Sequence, residues 1–191
     1  MRKIIATVAV ALMGGSLFAQ GTWTLDKAHT KIGFNVTHMV VAEVEGSFRE
    51  FDGTIVSKSA DFAGSEITFT AKTASIDTDN DRRNDHLKSP DFFDAEKFPE
   101  ITFKGVLAKE GGKYKLKGDF TMHGVTKKVD FDVTYSGTID TGRGQKAGFK
   151  ISGTVNRRDY GLNWDNKVPT GELVVADDVE IVCKIEANKA S

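Results

Sequence analysis

Cysteine is almost absent from this chain. Cys183 is the only one in 191 residues, so no internal disulfide is possible and the fold must stand on packing, even in an oxidising compartment. The same scarcity leaves no cysteine near the N-terminus to carry a lipid anchor. Long apolar runs are missing beyond the first 19 residues. Nothing after that point could cross a bilayer as a helix, which takes roughly 20 apolar residues. Charge of one sign is lacking as well, with 26 Lys and Arg against 27 Asp and Glu. That balance gives no basic face for non-specific nucleic-acid binding. Neither a low-complexity linker nor an internal repeat divides the sequence, so it reads as one domain.

The N-terminus is where apolar residues do concentrate. Arg2 and Lys3 precede an apolar stretch from Ile4 to Ala19, interrupted only by Thr7, Gly14, Gly15 and Ser16. A basic start, an apolar run of this length and a small residue before a polar break make a secretory signal peptide over residues 1–19. Its removal after Ala19 leaves residues 20–191 as the mature domain, soluble and in the periplasm. Losing Arg2 and Lys3 takes the formal charge from −1 to about −3.

Alternation with a period of two dominates after Gly21, the pattern of half-buried strands. Ile32, Phe34 and Val36 share one face; Val129, Phe131, Val133 and Tyr135 another; Val179, Ile181, Cys183 and Ile185 a third. Further stretches at 22–25, 44–56, 66–76, 101–108, 113–122 and 149–156 bring the count to about eight or nine strands, enough to close a barrel. Gly111-Gly112, His123-Gly124 and Gly142-Arg143-Gly144 mark hairpin turns. No long helical crossover is present, so the expected fold is all-β, a single antiparallel barrel. Residues 77–99 break the alternation. Ser89 before Pro90 reads there as a cap ahead of a helix start, and the segment as two short helical turns at one end of the barrel.

A barrel of about eight strands is either filled by its own side chains or hollow enough for one ligand, and periodicity alone leaves both open. Twelve of the 13 Phe lie in the mature part, beside only three Tyr and two Trp. Phe brings apolar area with no polar group to satisfy, which suits the wall of a lipid pocket. Ala71, Gly118 and Gly153 fall between them and would leave room for a guest. The alternative is an ordinary dry core in a non-catalytic interaction or stress protein.

Chemistry is thinly supported. His29, His38, His86 and His123 show no metal-ligand spacing, and no cofactor or metal is expected. Cys183 reads as a small hydrophobe with nothing basic nearby to activate it. No nucleophile elbow, phosphate-cradling glycine loop or dinucleotide fingerprint occurs. The charged run Asp79 to His86 lacks the glycine and distal Glu of a calcium loop. It reads as a capped, salt-bridged turn, with Arg83 or His86 as possible contacts for the polar head of an amphiphile. The protein is not expected to be an enzyme.

Five segments taken together resemble the YceI family of periplasmic, lipocalin-like, polyisoprenoid-binding proteins. They are WTLDKAHTKIGFNVTHM from Trp23, RNDHLKSPDFFDAEKFPEITF from Arg83, GDFTMHGVTKKVDFDV from Gly118, VNRRDYGLNW from Val155 and ADDVEIVCKIEA from Ala176. They span nearly the whole mature chain. The resemblance implies an eight-stranded antiparallel barrel with a long internal tunnel, and it brings no catalytic residues with it. The expected function is a carrier for a long-chain apolar lipid, a polyisoprenoid or isoprenoid quinone first, with a fatty-acid or amide-type amphiphile as the alternative. The expected wall is Phe34, Val36, Phe48, Phe69, Phe103, Phe120, Phe131, Val133, Phe149 and Ile151. The expected partner is that lipid, with no nucleic acid; the sequence is neutral between monomer and homodimer.

Overall fold

A computed structural model describes residues 21–190. The expected signal peptide, residues 1–19, lies outside them. Because side chains alternate in polarity from Gly21 onward, nearly every segment can bury one face and wet the other, and the chain meanders up and down as antiparallel strands. The first three staves are each broken in two: β1 (Gly21–Leu25) with β2 (Lys31–His38), β3 (Ala42–Phe48) with β4 (Phe51–Ser57), and β5 (Ser65–Lys72) with β6 (Ile76–Asp77). Five unbroken strands follow: β7 (Glu100–Glu110), β8 (Lys113–Met122), β9 (Val125–Asp140), β10 (Gln145–Asn156) and β11 (Val175–Lys189). Each stave pairs with the next in sequence. The last closes on the first, β11 meeting β2 through Val175–Lys184 and β1 through Ala187–Lys189. The result is the expected eight-stave antiparallel barrel.

The breaks are where the sheet bends. The alternation over 44–56 suggests one strand, yet it kinks at Arg49-Glu50 opposite a short 3-10 turn, Thr73–Ser75. There the Arg49 N–H donates to the Ser75 carbonyl at 3.1 Å and the Glu50 N–H to the Ser75 hydroxyl at 3.0 Å. Two facing kinks thus satisfy each other's backbone, which lets neighbouring staves curve together. The first stave bends at Asp26–Thr30, where the Asp26 N–H and Thr30 hydroxyl both donate to the Glu186 carbonyl.

One helix, α1 (Asp81–Lys88), stands in the charged segment. Asn80 caps it, its side chain accepting the Arg83 N–H at 3.0 Å, and Asp81 begins and Lys88 ends it in the sense the helix dipole favours. Ser89 therefore closes a helix instead of opening one, donating N–H and hydroxyl to the His86 carbonyl. Pro90 stops the helix, and residues 90–98 continue as turns.

The two barrel ends differ. The loop between β4 and β5 folds Phe62 inward until none of it is exposed, with ring centres 5.1 Å from Trp23, 5.3 Å from Tyr135 and 5.1 Å from Phe149. The loop is held by the Tyr114 hydroxyl donating to the Asp61 carbonyl at 2.8 Å and by Lys109 on the Asp61 carboxylate at 2.7 Å. Phe62 is an aromatic plug. The opposite end gathers α1, the turns after it, the β2–β3 and β8–β9 turns and the segment leaving β10.

Candidate functional site

Inside the barrel lies an apolar cavity of about 200 Å³, bordered by side chains from every stave. All ten residues expected on its wall border it: Phe34, Val36, Phe48, Phe69, Phe103, Phe120, Phe131, Val133, Phe149 and Ile151. Their faces follow from the pleat, since Phe131 and Val133 on β9, Phe149 and Ile151 on β10 and Val179 to Ile185 on β11 are alternate residues.

The glycines work differently from the sequence-based expectation. A methyl group on Gly153 would collide with the Phe131 ring, one on Gly46 with the Phe34 ring, and one on Gly118 with the Phe103 ring and the Gly105 backbone. The room these glycines leave is therefore taken by aromatic rings. A ring that settles against the neighbouring strand stays on the wall and does not project to the barrel axis. That keeps the centre clear.

Sequence reasoning overlooked part of the lining. Leu87 of α1 and Phe92 and Phe93 of the following turns cover the end away from Phe62. Their signal was present, as apolar residues inside an otherwise charged segment. Phe62 seals the other end, and we refer to this one, where Val36, Leu87, Phe93 and Val175 are only partly buried, as the mouth.

Arg157 is the other omission, and it carries the only formal charge on the lining among the described residues. It is 3 % exposed. Its guanidinium donates to the carbonyls of Ala176 at 3.0 Å, Leu162 at 2.7 Å and Val175 at 3.3 Å, and pairs with Asp177 at 2.9 Å. Burial pulls its pKa below the ordinary arginine value, opposed by Asp177. These bonds staple the segment after β10 to the start of β11 at the mouth. No alternation or motif spacing announces it, because most of its partners, at Val175 to Asp177, lie almost 20 residues further on.

Arg83 and His86 do not border the cavity. The Arg83 guanidinium donates to the Thr78 hydroxyl at 2.8 Å and carbonyl at 2.6 Å. Asn84 completes this network, accepting the Thr78 N–H at 2.8 Å. Asp77 anchors it, held down at about 2 by the Asp79 N–H and by Arg49. His86 meets Asp91 at 3.0 Å and packs edge-on against Phe92 and Trp164. Both residues hold the mouth-end segment together.

The remaining chemistry is modest. Cys183 sits on the wall, its thiol pushed up to about 11 by burial. Among the described residues, Asp26, His29 and Glu186 bring donor atoms within 4.8 Å of one another. The Lys146 ammonium already meets Asp26 at 2.9 Å and Glu186 at 2.6 Å. It holds the Asp26 carboxyl well below the usual carboxylate range. That cluster is a charge-compensated brace at the bend of the first stave. No helix of the described residues is long and apolar enough to cross a membrane.

Known proteins share this architecture. A UPF0312 protein of Staphylococcus aureus (strain bovine RF122 / ET3-1) is 36% identical over 166 residues, covering 86% of this chain and 95% of the relative. Among solved structures, the Campylobacter jejuni YCEI protein superposes with a TM-score of 0.71 at 30% identity, covering 87% of this chain and 97% of that one. Burkholderia cenocepacia BcnA gives 0.69 at 26% identity, covering 85% and 98%. A polyisoprenoid binding domain from Saccharophagus degradans, implicated in plant cell wall breakdown, gives 0.66 at 15% identity, covering 88% and 98%, and is alike in fold. The YceI-like domain family matches residues 23–187, and with the barrel and its glycine-seated aromatic wall in view, the chain belongs to that family.

Proposed function

We propose that this protein binds one long-chain apolar lipid, a polyisoprenoid or isoprenoid quinone first, with the tail inside the barrel, and carries it in the periplasm. The observation that carries this reading is the cavity: its wall is Phe, Val, Ile and Leu from every stave, with Arg157 already bonded to the protein. Its volume of about 200 Å³ is below the roughly 300–1,000 Å³ of common small-molecule pockets. A space that reaches every stave yet encloses so little suits a single slender chain better than a compact ring system. Each methylene withdrawn from water contributes about 0.8 kcal/mol, so a ten-carbon tail supplies about 8 kcal/mol before ordering costs. Apolar contact has no direction, so tail length and shape govern selection more than the head group.

The S. degradans domain is described as polyisoprenoid-binding, which makes that class the first to test. Residues 1–19 supply the address for export. The reading includes no chemical step: among the described residues the ionisable groups on the lining are Arg157, which is engaged, and Cys183, whose thiol is held protonated. Catalysis would need a positioned acid, base or nucleophile.

Phe131→Asp tests the assignment, since a carboxylate on the wall opposes an apolar tail. Folded variant protein should come away from purification without the lipid that the wild type retains. Equal retention by the two would contradict the reading.

A further inference from the structure

Among the described residues six large apolar side chains are exposed, and three of them are consecutive: Met39, Val40 and Val41, at 43 %, 66 % and 88 %. Val56, Val106 and Ile139, the other three, lie apart from this group on different strands. Met39 to Val41 form the tip of the β2–β3 hairpin. The tip stands at the mouth: Val36, two residues before His38, borders the cavity, His38 pairs with the lining residue Val175, and the Met39 N–H donates to the Val174 carbonyl at 2.9 Å.

The backbone there is unusual. Met39 and Val40 are both left-handed, φ 48° and 65°, and the Val41 N–H returns to the His38 carbonyl at 3.2 Å. Two successive turn residues at positive φ favour Asn and Gly, and a β-branched residue at positive φ is an outlier. Aliphatic side chains therefore stand in water at a place whose local geometry asks for Asn and Gly. Residues kept against local preference concentrate at functional positions.

We propose that the Met39–Val41 tip is a wedge that seats the mouth of the barrel on a lipid bilayer, so that a tail passes between membrane and cavity without crossing open water. The proposal rests on the reading of the cavity as a lipid site. A second copy of the chain fits the tip less well. It is three residues at the end of a hairpin and offers at most a few hundred Å², well under the roughly 800 Å² per partner of a stable interface. Insertion among acyl chains demands no complementary surface. The groove beside Val40 carries Arg158, Lys167, Asp165, Glu172 and Asp177, both signs of charge. Attachment should accordingly depend on apolar insertion and change little with salt.

The test is flotation of purified protein with vesicles of phosphatidylethanolamine and phosphatidylglycerol. It compares wild type with the variant Met39→Asn, Val40→Gly, Val41→Thr, both carrying the same N-terminus. The new residues suit the turn, so the fold is preserved. Wild type should float at low and high salt, and the variant should float about tenfold less or worse. Equal flotation, or no flotation of wild type, would overturn the proposal. So would a wild-type dimer that becomes a monomer in the variant without any vesicle binding, since the tip would then be a contact between copies. Lipid extraction from the same samples reads the cavity separately: tip-dependent flotation by protein that holds no lipid would sustain the wedge and sink the carrier reading.

Discussion

The ring of Phe131 on β9 lies against the backbone of Gly153 on β10, with no space between them for a methyl group. Phe34 over Gly46 repeats the arrangement on the β2–β3 pair. Three phenylalanines of the lining, Phe34, Phe103 and Phe131, rest on glycines in this way, which keeps their rings on the wall.

Gly153→Ala should therefore push the Phe131 ring toward the lumen. Overpacking of this kind costs about 1–3 kcal/mol, so the variant should fold with reduced stability in urea. It should also retain less lipid than wild type. A variant that loses stability yet binds lipid normally would show that the ring has another place to go.

Cys183 should be nearly inert in the native protein. Its thiol is raised to about 11 from an ordinary value of 9.0, which lowers the thiolate fraction about 100-fold at mildly alkaline pH. Alkylation by iodoacetamide at pH 8 should be slower by at least that factor than in denatured protein, and slower again in the presence of lipid. Comparable native and denatured rates would mean the wall opens freely to water.

Acid should weaken the barrel through carboxylates whose folded pKa lies below the unfolded one. Asp26 is depressed by Lys146, Asp61 to about 2 by Lys109, and Asp77 to about 2 by the Asp79 N–H and Arg49. Such groups stabilise the fold above the unfolded value of about 3.9, and that contribution is lost as pH falls through the folded value. Asp26→Asn should be less stable than wild type at pH 7, with the gap narrowing from about pH 4 downward in denaturant titrations. A gap independent of pH would show that Asp26 acts by shape, not charge.

The barrel was legible in the sequence because a half-buried strand writes its burial into every second residue. Val179, Ile181, Cys183 and Ile185 could be assigned inward without knowing what they face, and all four border the cavity. The kink in residues 44–56 was missed although it leaves a mark: the inward positions pass from even (Val44, Gly46, Phe48) to odd (Phe51, Gly53, Ile55) across Arg49-Glu50, while the bonds that fix the bend come from Ser75, remote in sequence. The helix start was misplaced by the Ser89-Pro90 pair, since a serine before proline can end one helix as readily as begin another. The wall glycines were seen but misread, because a glycine does not say whose side chain uses its space. Arg157 was passed over within the segment VNRRDYGLNW, because its role depends on carbonyls and on Asp177 brought to it by the start of β11. Arg83 and His86 looked available for a ligand only while Thr78 and Asp91 were not known to hold them.

Native mass spectrometry of protein purified from its own cells, followed by organic extraction of the same sample, would show whether the barrel holds a lipid and which one. One lipid per chain is expected, released on denaturation and bearing a long isoprenoid or similarly slender apolar tail. Protein at bare polypeptide mass, still empty after incubation with long-chain isoprenoids and quinones, would contradict it.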